Sequence, residues 1–527
     1  MQNYTYNRLQ AIFVSDKRWV VALAVVALCL VAGTIGGWLI AYPGPLLTAA
    51  LVLALVGGLL MLRSTQFGFA ALIGVVCLLP FAALPVKIGF TPTFLNLVLA
   101  VIFAVWLARL VAPLPPNPGG ETVLLPPVLG GRGRRAGQQK EFVTSPLALP
   151  IVIFLFLAFV SFVAGLAHAS PTPNAVRRFA EIILGIALFF VTVNCVRTRE
   201  ELEQLALIII LGGFGAALIG VALYFLPQAL TVRLLSALRI FNYPAGWGVL
   251  RFIRDDPLLP MRAIGTSVDP NILGGLLILV ASLTVPQLYT RRPLLKRWLA
   301  ATILAVMGLC LILTFSRGSL AGLGCALAML AVIKYRRLLP VLIVAGLLIL
   351  LLPQTQEYVI HFIQGLQAQD LAMKMRLGEY KDALILISRY PWLGVGFIGA
   401  PDIDIYLGVS MVYLTIAEEM GLVGLCVFLA IMVIFFRYTW RSWKSMAHDS
   451  RLEAILLGLQ TAVVGGLVGG LADHYLFSYP HAVAFFWLCI GLAVVAARLT
   501  EEARPEEPEE GRLSPSPSPA RGRSRAS

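Results

Sequence analysis

RLGEYKDALILISRYPWLGVGFIGAPDIDIYLGVSMVYLTIAEEMGLVG, residues 376–424, lies between long runs with the composition of membrane helices. The stretch itself carries arginines, acids and a PxxGxG turn built on Pro391, Gly394 and Gly396. Hydrocarbon cannot satisfy irregular backbone, so such a segment belongs outside the bilayer core. The stretch reads as a substantial loop, and the remaining chain as the helical scaffold that holds it.

The totals agree. Of 527 residues, 59% are hydrophobic and only 13% charged, where a soluble chain carries roughly twice that charge. The net charge of +14 sits mostly in short loops beside apolar runs, where it sets orientation. With no base-reading module in view, nucleic acid is not an expected partner. The cysteines, Cys29, Cys77, Cys195, Cys310, Cys325, Cys426 and Cys489, all fall in apolar runs and form no CxxC pair, so they read as packing residues. Arg8, Lys17 and Arg18 precede the first long apolar segment, which reads as an uncleaved signal anchor.

A spanning helix needs about 20 apolar residues, which yields about 12–14 candidates. They start near Trp19, Leu46, Phe67, Thr93, Leu147, Phe179, Leu205, Asn271, Trp298, Gly318, Leu338, Met411, Glu453 and Tyr479. With the N-terminus in the cytoplasm, alternate connections carry Arg63, the Arg132/Arg134/Arg135/Lys140 cluster, Arg197/Arg199, Arg291/Arg292/Lys296/Arg297, Lys334/Arg336/Arg337 and Arg437/Arg441/Lys444. That alternation is the positive-inside pattern.

The expected fold class is an all-α, polytopic membrane helical bundle. Its N-terminal membrane helices occupy 1–112. A flexible cytoplasmic linker follows at 113–146, Pro-, Gly- and Arg-rich over 113–142. The membrane core is 147–500, with outer loops at 227–270 and 353–410, and the 501–527 tail has little to bury. Within the first loop, QALTVRLLSALRIF spaces Leu234, Leu235, Leu238 and Phe241 along one helical face at the interface. Within the second, helices are expected at 356–368 and 372–389, as a partly helical cap.

Outer arginines oppose the orientation bias and need another reason. Arg233, Arg239, Arg251 and Arg254 suit anionic lipid headgroups, making membrane lipids partners. Arg262, before GTSVDPN, and Arg317, in FSRGS between two apolar runs, sit at helix ends where a guanidinium fork suits phosphate oxygens. Asp269-Pro270 has the form of a helix cap, and Asn271 opens the helix. Asp473 and His474 lie side by side in a short outer turn, either as solvated turn residues or as an acid/base pair. His361 and His481 read as interfacial. Asp402 and Asp404 make a weak carboxylate pair, and no metal or other cofactor is expected.

RAIGTSVDPN (262–271), FSRG (315–318), RLGEY (376–380), PWLGVG (391–396) and YLTIAEEMGLVG (413–424) resemble, in order, the signature blocks of the O-antigen ligase and polymerase superfamily of bacterial envelopes. The resemblance implies a fold like that of the metal-independent membrane glycosyltransferases. It implies a glycan moved from a polyprenyl-pyrophosphate carrier to a lipid or glycan acceptor. It also implies the bacterial inner membrane, with the active face outside the cytoplasm. By resemblance, Arg317 and Arg376 match pyrophosphate-binding arginines and Asp473 an acid near the final outer turn. Arg262, Asn271 and Ser410 join them as substrate-binding candidates, with Asp473 and His474 as the catalytic ones. Ser410 stands where the family pattern has histidine, and a serine alone cannot serve as the base. A polymerase of the same superfamily and a polysaccharide or bicarbonate transporter are the alternatives. Transport predicts ionisable residues deep within spans.

Overall fold

The computed structural model describes residues 34, 56–61, 64–85, 90–111, 143–168, 170–351, 371–398, 408–446 and 450–502. The spans expected at Trp19 and Leu46, nearly all of the linker, the 356–368 helix, His361, Asp402, Asp404 and the tail beyond 502 lie outside them. The chain divides into two units, Met1–Gly68 and Phe69–Ser527. Of the first, a short helical run at 56–61 and the start of the next helix are described.

The protein is an all-α polytopic membrane protein. In chain order the helices are α1 (Thr65–Leu78), α2 (Phe94–Val111), α3 (Ala148–Gly165), α4 (Pro173–Cys195), α5 (Arg199–Phe225), α6 (Gln228–Ala237), α7 (Pro270–Thr284), α8 (Pro286–Tyr289), α9 (Arg297–Leu313), α10 (Arg317–Ile333), α11 (Leu338–Leu351), α12 (Leu371–Arg389), α13 (Val412–Lys444), α14 (Ser450–Gly469), α15 (Tyr475–Ser478) and α16 (Pro480–Glu502). Each of the twelve described spans expected from the sequence meets one of them. Six are long and apolar enough to cross a membrane: α3, α5, α7 with α8, α13, α14 and α16. α1, α2, α9 and α10 are shorter apolar helices.

Several starts follow local chemistry. α5 opens on a capping box, with Thr198 and Glu201 each satisfying the other's backbone N–H. α4 begins at Pro173, several residues before the expected Phe179, because Thr172 accepts from the Ala175 N–H and proline suits the first helical position. The helix expected within QALTVRLLSALRIF appears as α6, followed by a 3-10 turn over Leu238–Phe241.

α7, α14 and α16 form the centre, with about 80–90% of their apolar windows buried, against 28% for α3. Lipid tails are as apolar as leucine, so close backbone approach rather than hydrophobic transfer holds such helices together. A Cβ on Gly322 of α10 would lie 2.6 Å from the Gly465 carbonyl of α14. The peripheral helices turn apolar side chains outward, including Phe156 (65% exposed) and Val332 (69%). Cys77, Cys310 and Cys489 are buried, and Cys325 and Cys426 are exposed. At the basic end, Arg451 pairs with Glu203 at 2.7 Å, and Arg498 donates to the Val193 and Val196 carbonyls at 2.9 and 2.8 Å.

Residues 376–424 divide differently from the sequence reading. Arg376–Arg389 lies in α12, and the cap helix expected at 372–389 is present. The segment from Val412 is not loop but the first turns of α13. The turn and α13 form one interlocked unit. Val395 N–H donates to the Glu418 carbonyl at 2.8 Å, Gly396 N–H to the Glu419 carbonyl at 3.1 Å, and Leu422 N–H to the Pro391 carbonyl at 2.8 Å. Gly421 interrupts α13 at φ 70°, ψ 177°, a conformation essentially confined to glycine. A Cβ there would sit 2.1 Å from the Trp392 oxygen, and one on Gly394 (φ 67°) 2.2 Å from the Glu418 oxygen. Two motifs distant in sequence are thus one backbone-to-backbone crossing. Ser161 of α3 bolts it down by donating to the Leu393 carbonyl at 2.6 Å.

Candidate active site

The candidate residues gather at the end of the bundle opposite the basic loops. Asp269 caps α7, its carboxylate accepting from the Asn271 N–H at 2.7 Å and the Ile272 N–H at 3.2 Å. Arg262 donates from Nε to the Thr314 carbonyl at 2.8 Å and from a terminal nitrogen to Asn271 Oδ1 at 2.9 Å. Ala263 N–H reaches the Leu313 carbonyl at 2.8 Å. RAIGTSVDPN is therefore sewn to the break between α9 and α10, where Phe315 takes a left-handed φ of 53°. Arg262 and Asn271 spend polar atoms on this stitch.

Arg317 is the first residue of α10, after Ser316. Its neighbour Gly318 abuts the turn between α14 and α15, since a Cβ there would meet the Ala472 side chain at 2.6 Å. Asp473 follows directly. Its Oδ1 accepts from the His474 N–H at 2.7 Å and stands 3.4 Å from His474 Nδ1, which makes no hydrogen bond. Only 15% of the Asp473 side chain is exposed, against 31% for His474. From the cap, Glu379 accepts the Ser410 N–H at 3.1 Å, tying the start of α13 to α12 one turn from Arg376.

Electrostatics shows how close these groups are. Burial, then the neighbouring Asp473, pushes the Asp269 carboxyl above the usual carboxylate range, while the Asn271 and Ile272 N–H groups and Arg262 pull it back. Burial likewise raises the Tyr380 hydroxyl, Arg376 opposes it, and Glu379 and Asp473 reinforce it. Tyr479 is raised by burial, Asp269 and Asp473 against Arg178 and Arg251. Asp473 thus acts on α7, α12 and the start of α16 together.

Beside this turn lies a cavity of about 950 Å³, lined among others by His474, Tyr479, Arg177, Arg178, Glu181, Glu418, Glu419 and His481. Most of these went unread in the sequence. His481, expected at the interface, is 4% exposed and meets the Phe81 ring edge-on at 4.8 Å; α16 begins inside the bundle, not at its rim. The Arg177-Arg178 pair at the start of an apolar helix, and Glu418-Glu419 within an apolar run, were the available signals.

Residues 300–429 match the family model described as O-antigen ligase. The chain is also similar to an O-antigen ligase of Pseudomonas aeruginosa, 26% identical over 254 residues, which is 47% of this chain and 59% of the relative. Over these residues the chain is similar to O-antigen ligases. The residues matched by the family model include Arg317, Arg376, Ser410 and the interlocked glycine turn. Arg262, Asn271, Asp473 and His474 fall outside the matched range and join the site through the fold alone. The alignment spans 59% of the relative's length.

Proposed function

We propose that the protein is an inner-membrane glycosyltransferase that moves a glycan from a polyprenyl-pyrophosphate carrier to a lipid or glycan acceptor on the outer face. Asp473 supports this reading most directly, because its field reaches Asp269, Tyr380 and Tyr479 from three separate elements. The same Asp269 and Tyr380 also feel Arg262 and Arg376, respectively, so the acid shares its surroundings with arginines, as such a transfer needs.

In the reaction, the acceptor hydroxyl oxygen attacks the anomeric carbon. The bond from that carbon to the phosphate oxygen breaks, and the pyrophosphate leaves with the electron pair. Arg317 and Arg376 stabilise the growing negative charge, with Arg262 and Asn271 fixing the α9–α10 break beside them. The hydroxyl proton passes to the Asp473–His474 pair, whose members stand 3.4 Å apart so that the carboxylate stabilises the imidazolium. Ser410, anchored through its backbone to Glu379, contributes position and no proton chemistry. The carboxyls Glu181, Glu418 and Glu419 inside helices suit the transporter alternative; they line a cavity that opens beside the same turn, which suits a substrate pocket equally.

The test is transfer from a purified polyprenyl-pyrophosphate glycan in detergent. Arg317→Ala and Arg376→Ala each lower kcat about a hundredfold, or about 3 kcal/mol of barrier. Arg317→Lys recovers part, since an ammonium lacks the bidentate fork. Ser410→Ala stays near wild type. Full activity in both alanine variants, or abolition by Ser410→Ala alone, would remove this assignment.

A further inference from the structure

The cavity beside the Asp473–His474 turn differs in chemistry from the arginine rim. Four buried polar atoms on its lining residues have no hydrogen-bond partner: Arg177 Nε, Glu419 Oε2, His474 Nδ1 and His481 Nε2. Buried polar atoms are ordinarily satisfied, and leaving one unpaired costs about 1–3 kcal/mol. Four around one space mark a site built for a ligand that both donates and accepts.

Charge argues against a polyanion there. Three carboxyls, Glu181, Glu418 and Glu419, face two guanidiniums, and both guanidiniums are engaged. Arg177 bonds Glu181 at 2.9 Å, and Arg178 donates from Nε to the Ser478 carbonyl at 3.2 Å. Phe81, Phe397 and Tyr479 add aromatic faces to the wall. A volume of about 950 Å³ is at the upper end of ligand pockets, which run to about 1,000 Å³.

We propose that this cavity is a neutral-saccharide subsite, in which Glu419, His481 and Arg177 pair with sugar hydroxyls while the reacting end reaches the Asp473–His474 turn. The inference rests on the glycan-transfer reading and divides the substrate physically. Pyrophosphate goes to the arginine rim, and uncharged sugar goes to the mixed acid–base cavity. The sugar belongs either to the acceptor or to the donor glycan.

The experiment uses the full chain in nanodiscs, titrated with maltotriose, N,N′,N″-triacetylchitotriose and inorganic pyrophosphate. Two variants test the cavity. Glu419→Gln keeps the backbone carbonyl that holds the glycine turn, and Asn174→Trp narrows the space from an exposed lining position. At least one trisaccharide is expected to bind, and each variant weakens it about tenfold, the worth of one strong hydrogen bond. Pyrophosphate binding is expected to be unchanged by these variants and lost in Arg317→Ala. Steady-state transfer by Asn174→Trp assigns the source: a raised KM for acceptor or a raised KM for donor. Absence of saccharide binding, saccharide binding untouched by both variants, or pyrophosphate binding weakened by Glu419→Gln would overturn the subsite. Saccharide binding that responds to the variants, with no pyrophosphate binding anywhere, would support the subsite and remove the transfer mechanism instead.

Discussion

At the scale of single residues, Asp269 shows how a cap becomes part of a site. Its carboxylate satisfies two N–H groups at the start of α7, yet burial and Asp473 disfavour its charge. A raised carboxyl pKa means that the folded state holds the proton more tightly than the unfolded chain. The associated stabilisation is present at low pH and is lost as pH rises through the folded value. Asparagine keeps an accepting oxygen and has no charge to bury. Asp269→Asn should therefore unfold at or above the wild-type temperature at about pH 7, with the advantage disappearing near about pH 4. Asp269→Ala should lose the cap, about 1 kcal/mol, at both. Thermal unfolding in detergent decides it, and an asparagine variant less stable than wild type at neutral pH would show that Asp269 is held charged.

Among elements, the crossing of the Pro391–Gly396 turn over the interrupted α13 positions the cavity floor. Glu418 and Glu419 give their carbonyls to the turn and belong to the cavity lining. Gly421→Ala meets two obstacles: a backbone conformation costing about 1–3 kcal/mol for any other residue, and a Cβ 2.1 Å from the Trp392 oxygen. The expected result is a marked loss of thermal stability in detergent. Gly378→Ala is the control. It lies within α12 with nothing within 4 Å of its added methyl, and alanine in a helix gains about 0.5–1 kcal/mol over glycine. Equal stability of the two variants would mean that the crossing is not rigid.

For the whole molecule, the arginine rim and the cavity need one face of the membrane, and the basic loops need the other. Both termini and the 113–142 linker are predicted to be cytoplasmic, with 227–270 and 353–410 outside. In a cysteine-free background, Gly365→Cys should react with an impermeant maleimide added to intact cells, and Gly120→Cys only after lysis. Labelling of Gly120→Cys in intact cells would invert the topology.

The spans, their order and the basic alternation were legible in the sequence because apolar length and loop charge are local properties that the bilayer reads directly. Arg317, Arg376 and the Asp473–His474 turn could be nominated for the same reason: charge at a membrane edge stands out against an apolar background. What Arg262 does was decided by tertiary structure, since the Thr314 carbonyl its Nε reaches lies 52 residues away, and Asn271 is tied to that contact through Arg262. The glycines of PWLGVG and EEMGLVG were visible as a pattern. Their reason, two backbones closer than any Cβ permits, exists only once α13 folds under the turn. The cavity was the least legible part. Its walls come from α1's exit, α4, α13 and α16, and a sequence records each wall's chemistry but not which walls face one another.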